Sequence, residues 1–447
     1  MKKTENFTEG KIVAPLVKFA FPILLALLLQ TMYGAVDMLV VGRFSEAAQV
    51  SAVSTGSWLM QMITSFVVGI AMGTTILLGR KIGEGKPQEA GKYIGASITL
   101  FAVLTICITI LMEVFARPIA QIMQTPPEAF EATVMYVRIC SAGAVFIVAY
   151  NVLGSVFRGI GNSVMPLITV AIACVVNIIG DIVLVGGFHL AAAGAAIATV
   201  GAQAVSVVIS LLIIRKQKLP FAFSRKDICF DKKRMKEIFT LGFPIALQDL
   251  LVCISFLAIT AIVNSLGVIA SAGVGVAEKL CGFIMLVPQA FNQSMSAFVA
   301  QNVGAGKRDR AKTALKSGIL ISLVIGIAMA YLSFFHGDIM SGIFAKDEAV
   351  IAASAEYLKA YAIDCLLVSI LFCMIGYFNG CGKTRFVMFQ GIAGAFGVRI
   401  PVSLFMSRLL PVSLFKVGLA TPCSSILQIV LCAGYFWKYQ REKNHEM

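Results

Sequence analysis

Charge is scarce in this sequence. Only 13% of its 447 residues are Asp, Glu, Lys or Arg, while 58% are hydrophobic and the mean hydropathy is +0.88. A water-soluble chain of that composition could not cover its own surface, which excludes a soluble fold and implies a polytopic membrane protein. Histidine is rarer still. His189, His336 and His445 are the whole complement, and they fall far apart in predicted loops or the tail. The cluster of histidines and acids that a membrane enzyme needs at one interface is therefore missing, as are GxSxG, HExxH and paired-cysteine motifs. The chain is not expected to be an enzyme, and no cofactor is expected. Its eleven cysteines are scattered singly through apolar runs, as at Cys107, Cys140, Cys174 and Cys253. That spacing suits neither a disulfide framework nor a metal knuckle.

What the sequence has is long apolar runs. The stretch Phe19–Val41 carries Pro22 near its start and Asp37 near its end, with no charge between Phe19 and Val36. Eighteen residues at ~1.5 Å each cover about 27 Å, close to a ~30 Å hydrocarbon layer. Asp37 thus falls within the same helix, and an ionised Asp in lipid costs at least ~2.5 kcal/mol, so it must face protein or water. Spans are predicted over 13–41, 51–79, 93–116, 131–157, 164–187 and 192–214. After a charged connector come 238–265, 269–301, 312–335, 350–378, 385–409 and 414–438. The expected fold class is an all-α integral membrane protein of twelve transmembrane helices.

The net charge of +14 could suggest a nucleic acid, but its distribution reads otherwise. Counting from the spans, 28 of the 37 basic residues fall on one side, and the opposite loops hold only Arg43, Arg117, Lys346, Arg408 and Lys416. This is the positive-inside bias. It predicts a multi-pass protein with both termini in the cytoplasm, an even number of spans and no nucleic-acid partner. The polar start, MKKTENFTEGKIVAPLVK, lacks the pattern of a removable signal peptide, so the first span is expected to remain in the mature chain.

The two halves repeat. Phe21-Pro22-Ile23 recurs as Phe243-Pro244-Ile245, Gly83-Glu84-Gly85-Lys86 as Gly304-Ala305-Gly306-Lys307, and Ala198-Thr199 as Ala420-Thr421. The turn Phe157-Arg158-Gly159-Ile160-Gly161-Asn162-Ser163 recurs as Phe378-Asn379-Gly380-Cys381-Gly382-Lys383-Thr384. All keep an offset of 221 or 222. They define an N-lobe over 1–215, a basic cytoplasmic linker over 216–237 and a C-lobe over 238–447. Six spans per lobe make the repeat parallel, and two pseudo-symmetric lobes around a central cleft are an architecture of alternating access. The G-x-G-K segments follow helices and do not open them after a strand, so they read as helix stops and not as phosphate cradles.

These motifs resemble the MATE (multidrug and toxic compound extrusion) family of prokaryotic transporters over nearly the whole chain. The resemblance rests on the FP pairs, LLGRKIGEGK and FVAQNVGAGK, the FRGIGNS and FNGCGKT turns, and NIIGD followed by AGAAIAT. It implies a secondary antiporter that exports mostly organic cations against inward protons or sodium. A flippase or exporter of lipid-linked oligosaccharide from the same superfamily is the alternative. Such a protein should carry several basic residues in its cleft, whereas only Arg138, Lys279, Lys359 and Arg399 fall within spans. The expected partners are a cationic amphipathic small molecule and the lipid bilayer, and the expected state is a monomer.

Depth arithmetic supplies Asp37 with neighbours. From Ser163, Asn177 and Asp181 lie about 21 and 27 Å along the fifth span at ~1.5 Å per residue, and four residues apart puts them on one face. Thr199 lies about 10 Å into the sixth span from its outer end. Asp37, Asn177, Asp181 and Thr199 can therefore share the outer half of the N-lobe. Their donors are all oxygens, a set that suits a sodium ion or a shared proton. The family resemblance makes the same four positions the coupling site of one prokaryotic branch, with Pro22 as the bend of the first helix. Tyr33, one turn before Asp37, is expected to flank the site. In the C-lobe, Asp249, Glu278, Asp364 and Arg399 fall inside spans and are candidates to meet substrate in the cleft.

Overall fold

Four glycine turns punctuate the chain, and each ends a helix in the same way. Gly85, Gly161, Gly306 and Gly382 have φ between +69° and +81°, backbone that L side chains rarely adopt. The next residue then donates its N–H to a carbonyl five residues back: Lys86 to Lys81, Asn162 to Phe157, Lys307 to Asn302 and Lys383 to Phe378, at 2.8–3.0 Å. This 6→1 bond satisfies carbonyls that the helix leaves open. The helix-stop reading of the G-x-G segments follows directly from this geometry.

The structure is a computed structural model that describes residues 7–216, 223 and 225–445. Lys2, Lys3 and Lys218 of the basic bias lie outside the described residues, as do the side chains of Arg225 and Lys443. The described residues are helical, with no strand among them. In the first half run α1 (Val13–Phe44), α2 (Ala47–Gly83), α3 (Pro87–Ile122), α4 (Pro127–Ala142), α5 (Ala144–Gly159), α6 (Val164–Asp181) and α7 (Ala191–Lys216). In the second run α8 (Lys232–Asn264), α9 (Val268–Ile284), α10 (Leu286–Gly304), α11 (Arg308–Phe335), α12 (Gly337–Gly342), α13 (Glu348–Gly380), α14 (Thr384–Gly394), α15 (Ile400–Arg408), α16 (Leu414–Gly418) and α17 (Ala420–His445). Eleven stretches are long and apolar enough to cross a membrane, and the bent pair α4–α5 makes a twelfth.

That bend departs from the unbroken span predicted over 131–157. α4 and α5 meet at Gly143 with an angle of 55° between them. Val200 of α7 packs so tightly against Gly143 that a Cβ there would lie 3.0 Å from Val200 Cβ. The fifth span also departs from regularity: after Asp181 it continues as a π-helical turn, Ile182–Gly187. Its repeat counterpart contains one as well, Ala395–Arg399 between α14 and α15. α1 runs unbroken through Pro22.

The chain divides into two compact units. One consists chiefly of Phe21–Ala246; the other consists of Thr8–Ala20, Leu247–Val303 and the residues from Lys307 onward. The seams fall within three residues of Pro22 in α1 and of Pro244 in α8. Within the first unit, Gly69 and Gly73 of α2 meet Gly242 and Ala246 of α8. A Cβ on Gly73 would run into the Ile238 carbonyl oxygen, and one on Gly69 would lie 2.5 Å from Ala246 Cα. Small residues four apart on both helices let the backbones touch, the usual way for membrane helices to gain packing contacts.

Candidate functional site

The first unit holds its acids where helix spacing predicts. Gln30, Tyr33 and Asp37 occur at i, i+3 and i+7 on α1, hence on one face. Asn177 and Asp181 share a face of α6, and Thr199 and Gln203 share a face of α7. Gly180 lets α6 and α7 close on each other, since a Cβ there would stand 3.0 Å from Ala198 Cβ. The approach brings the polar faces of three helices to one place. Beyond it, Val41 of α1, Val185 of the π turn, and Ala192, Ala195 and Ala196 of α7 belong to one apolar cluster.

Asp37, Asn177 and Asp181 are 5%, 1% and 0% exposed, and Thr199 is half-buried. The Thr199 hydroxyl donates to Asp37 Oδ2 at 3.3 Å. Asn177 and Asp181 face the Asp37 carboxylate, yet no regular hydrogen bond joins them. Asp37 Oδ1, both Asp181 oxygens and both amide atoms of Asn177 are buried without a partner among the described residues. No ion pair reaches either acid among those residues. Buried polar atoms are otherwise almost always satisfied, and two carboxylates stripped of both water and counter-charge carry a large desolvation cost. The six oxygens offered by Asp37, Asp181, Asn177 and Thr199 are hard donors that fit a small alkali cation. One proton shared between the acids would serve the same purpose.

Sequence reasoning missed the polar side chains behind this cluster. Gln203 lies one turn from Thr199 on α7, and its Oε1 is buried without a partner. Tyr33 faces Gln203 and Tyr150, and Gln30 Nε2 donates to Tyr150 Oη at 3.2 Å. The available signal was the same i, i+3, i+4 spacing already used for the acids, applied to uncharged residues.

The second unit arranges its candidates differently. Asp364 of α13 is 1% exposed and accepts from the Ser425 hydroxyl at 2.6 Å. Arg399 is 6% exposed; its Nη1 donates to Ser255 Oγ at 3.0 Å. The charges of Asp364 and Arg399 act on each other, so these two are brought together. Glu278 accepts from the Thr260 hydroxyl at 3.2 Å, while its sequence neighbour Lys279 is exposed. Asp249 is half-buried on α8 beside Cys253, apart from the Asp364–Arg399 pair. Among the described residues there is no group of three or more His, Cys, Asp or Glu that could hold a metal ion.

Comparison with known proteins adds to this geometry. The MatE family profile matches residues 22–183 and again 244–405, so the repeat in the sequence is also a repeat of the family unit. The chain is similar to the probable multidrug resistance protein YoeA of Bacillus subtilis, 25% identical over 445 residues and covering 97% of this chain and 96% of that one. It is also similar to the multidrug export protein MepA of Staphylococcus saprophyticus, 25% identical and covering 90% and 89% of the two chains. In fold it matches a crystal structure of MATE in the straight conformation with a TM-score of 0.90, 19% identity and 98% coverage of both chains.

Proposed function

The chain belongs to the MatE family of multidrug and toxic compound extrusion transporters, and from that premise we propose that it is an ion-coupled exporter of cationic amphipathic small molecules. The observation that carries the reading is the orphaned oxygen set of Asp37, Asn177 and Asp181 beside Thr199. Two buried acids without a basic partner need a cation, and sodium or a proton is the cation that a gradient supplies. Binding there relieves the repulsion between Asp37 and Asp181 and changes how α1 packs against α6 and α7. Pro22 lacks an N–H for the helix ladder, so α1 can bend at that point at lower cost than an ordinary helix. A ligand that prefers one packing of α1 shifts the population toward it, and so drives cargo outward.

The relatives named as multidrug resistance and export proteins support a drug-like cargo. Buried or half-buried acids at Asp249, Glu278 and Asp364 suit positive charge in that cargo. A lipid-linked oligosaccharide, with its diphosphate, calls for a cluster of free basic side chains; of the four bases within spans, Arg138 is opposite Glu113 at 3.7 Å, Arg399 is buried against Ser255, and Lys279 and Lys359 are exposed. On this reading the protein acts as a monomer in the bacterial cytoplasmic membrane, with both termini in the cytoplasm.

Everted vesicles or proteoliposomes loaded with a fluorescent organic cation, under sodium and proton gradients imposed separately, test the reading. Efflux is expected under one gradient and is lost in Asp37→Asn. Full gradient-driven efflux by Asp37→Asn refutes the coupling scheme.

A further inference from the structure

At the 222-residue offset between the matched halves, the second repeat has no acid where the first has its pair. Ile259 stands at the position of Asp37, Ser403 at that of Asp181 and Thr421 at that of Thr199. Arg399 stands at the position of Asn177. The correspondence extends to burial, since Arg399 and Ser403 are enclosed as Asn177 and Asp181 are; each span also contains a π-helical turn, after Asp181 in the first and ending on Arg399 in the second. At these positions the first repeat therefore carries two acids and no base, while the second carries a guanidinium with Asp364 on α13. Arg158, a half-buried guanidinium of the first repeat, sits at the far end of α5 on Ser155.

The guanidinium is held on several sides. Its Nη1 donates to Ser255 Oγ at 3.0 Å, and its central carbon lies 4.5 Å from the centroid of the Phe256 ring, where the ring's negative face attracts a cation. Asp364, Tyr361 and Tyr357 of α13 complete its electrostatic surroundings; Glu278 of α9 acts on Tyr357 from behind. No direct ion pair forms between Arg399 and Asp364 within 4 Å among the described residues, so the two charges balance one another across the site. Each charge alone would be uncompensated in the interior, and breaking such a pair costs far more than the pair contributes.

We propose that Arg399 is a tethered internal cation. It occupies permanently, in the second repeat, the role that a proton or sodium ion takes transiently in the first, and it makes Asp364 a fixed charge instead of a second coupling site. Arg399 is thus a positioning residue that sets how many ions the cycle uses, and the chain couples through one site only. The inference rests on the reading that Asp37 and Asp181 bind the coupling ion, but its test does not depend on that reading. Removing the guanidinium leaves Asp364 buried with the Ser425 hydroxyl and without its compensating charge, a carboxylate that then needs a mobile cation.

The test uses the full-length protein in detergent with Asp37→Asn and Asp181→Asn already in place, and reads Tm against NaCl (balanced with choline chloride) and against pH. This background is expected to show no sodium response, and its pH response, to which Asp249 and Glu278 still contribute, is the baseline for the variants below. Adding Arg399→Gln is expected to create a response above that baseline: Tm rises by roughly 3–5 °C on saturating sodium or on acidification. Asp364→Asn in addition abolishes that rise, and Arg399→Lys in place of Arg399→Gln never shows it. A Tm that stays at the baseline in Arg399→Gln, or an added response that survives Asp364→Asn, overturns the proposal. If Arg399→Gln does not fold, folding of Arg399→Gln/Asp364→Asn supports the proposal and failure of that pair overturns it. The wild type's own response to sodium or pH, and the part of it lost in the background variant, judges the first-repeat site separately.

Discussion

The Thr199 hydroxyl meets Asp37 Oδ2 at 3.3 Å across 162 residues of sequence, and among the described residues it is the one regular hydrogen bond the buried carboxylate receives. The bond ties α7 to α1 and makes the two ions distinguishable. A hydroxyl that donates to a carboxylate favours its ionised form, but the same oxygen can turn and become a ligand to a metal ion. Thr199→Val keeps the shape and removes both functions. A hydrogen bond to a charged group is worth about 1.5–3 kcal/mol, so a sodium-coupled transporter should need roughly tenfold more sodium for half-maximal efflux. A proton-coupled one should instead run at a lower proton concentration than the wild type. The ion dependence of efflux in proteoliposomes separates the cases, and a change of less than about twofold in either direction would remove Thr199 from the site.

Asp37 and Asp181 face each other in one enclosure and should act as a unit. Asp37→Asn and Asp181→Asn are each expected to abolish gradient-driven efflux, and the double variant should be no worse than either single one. Effects of groups that work together are grossly non-additive. A double variant whose losses multiply would mean that the two acids work at separate steps.

Much of this was legible in the sequence. The spans follow from hydropathy, the four glycine stops from G-x-G spacing, and the meeting of Asp37, Asn177, Asp181 and Thr199 from helical rise counted inward from the ends. The rest depends on tertiary contact. The 55° break at Gly143 is set by Val200 packing against it, and one glycine in an apolar run does not announce that. Arg399 reads as a lone intramembrane base until the chain folds, because Ser255 and Phe256 lie 144 and 143 positions away. Gln30 and Gln203 carry no charge to mark them, although their spacing from Tyr33 and Thr199 obeys the same helix arithmetic.

The contact of α2 with the first turns of α8 leaves no room for a side chain. Gly73→Leu would drive several carbons into the Ile238 carbonyl and the Gly242 backbone. Overpacking of a tight contact costs about 1–3 kcal/mol, and more where the neighbour is backbone that cannot rotate away. A lower Tm in detergent and reduced membrane yield are expected, with Gly42→Leu as the control, because Gly42 meets only one side-chain atom, at 3.8 Å. Equal Tm values for the two variants would contradict the packing found at Gly73.

The segment ahead of α1 is tied to the start of α11 through its carbonyls. Arg310 Nη1 donates to the Gly10 oxygen at 2.7 Å, and Nη2 donates to those of Glu9 and Lys11 at 2.8 and 3.2 Å. Lys307 Nζ donates to the Thr8 oxygen at 2.9 Å. Gly10, with φ of +69°, turns successive carbonyls toward the same fork. Because three of its carbonyls converge on one guanidinium, Arg310→Ala should release the segment. Loss of even one charge-assisted bond, about 1.5 kcal/mol, raises the open population roughly tenfold. Trypsin cleavage after Lys11, followed by mass spectrometry, should accelerate by at least that factor. Arg310→Lys should fall between the two, since an ammonium cannot span three carbonyls as a planar fork does. Cleavage at Lys11 at the wild-type rate in Arg310→Ala would show that apolar packing, not the guanidinium, fixes the segment.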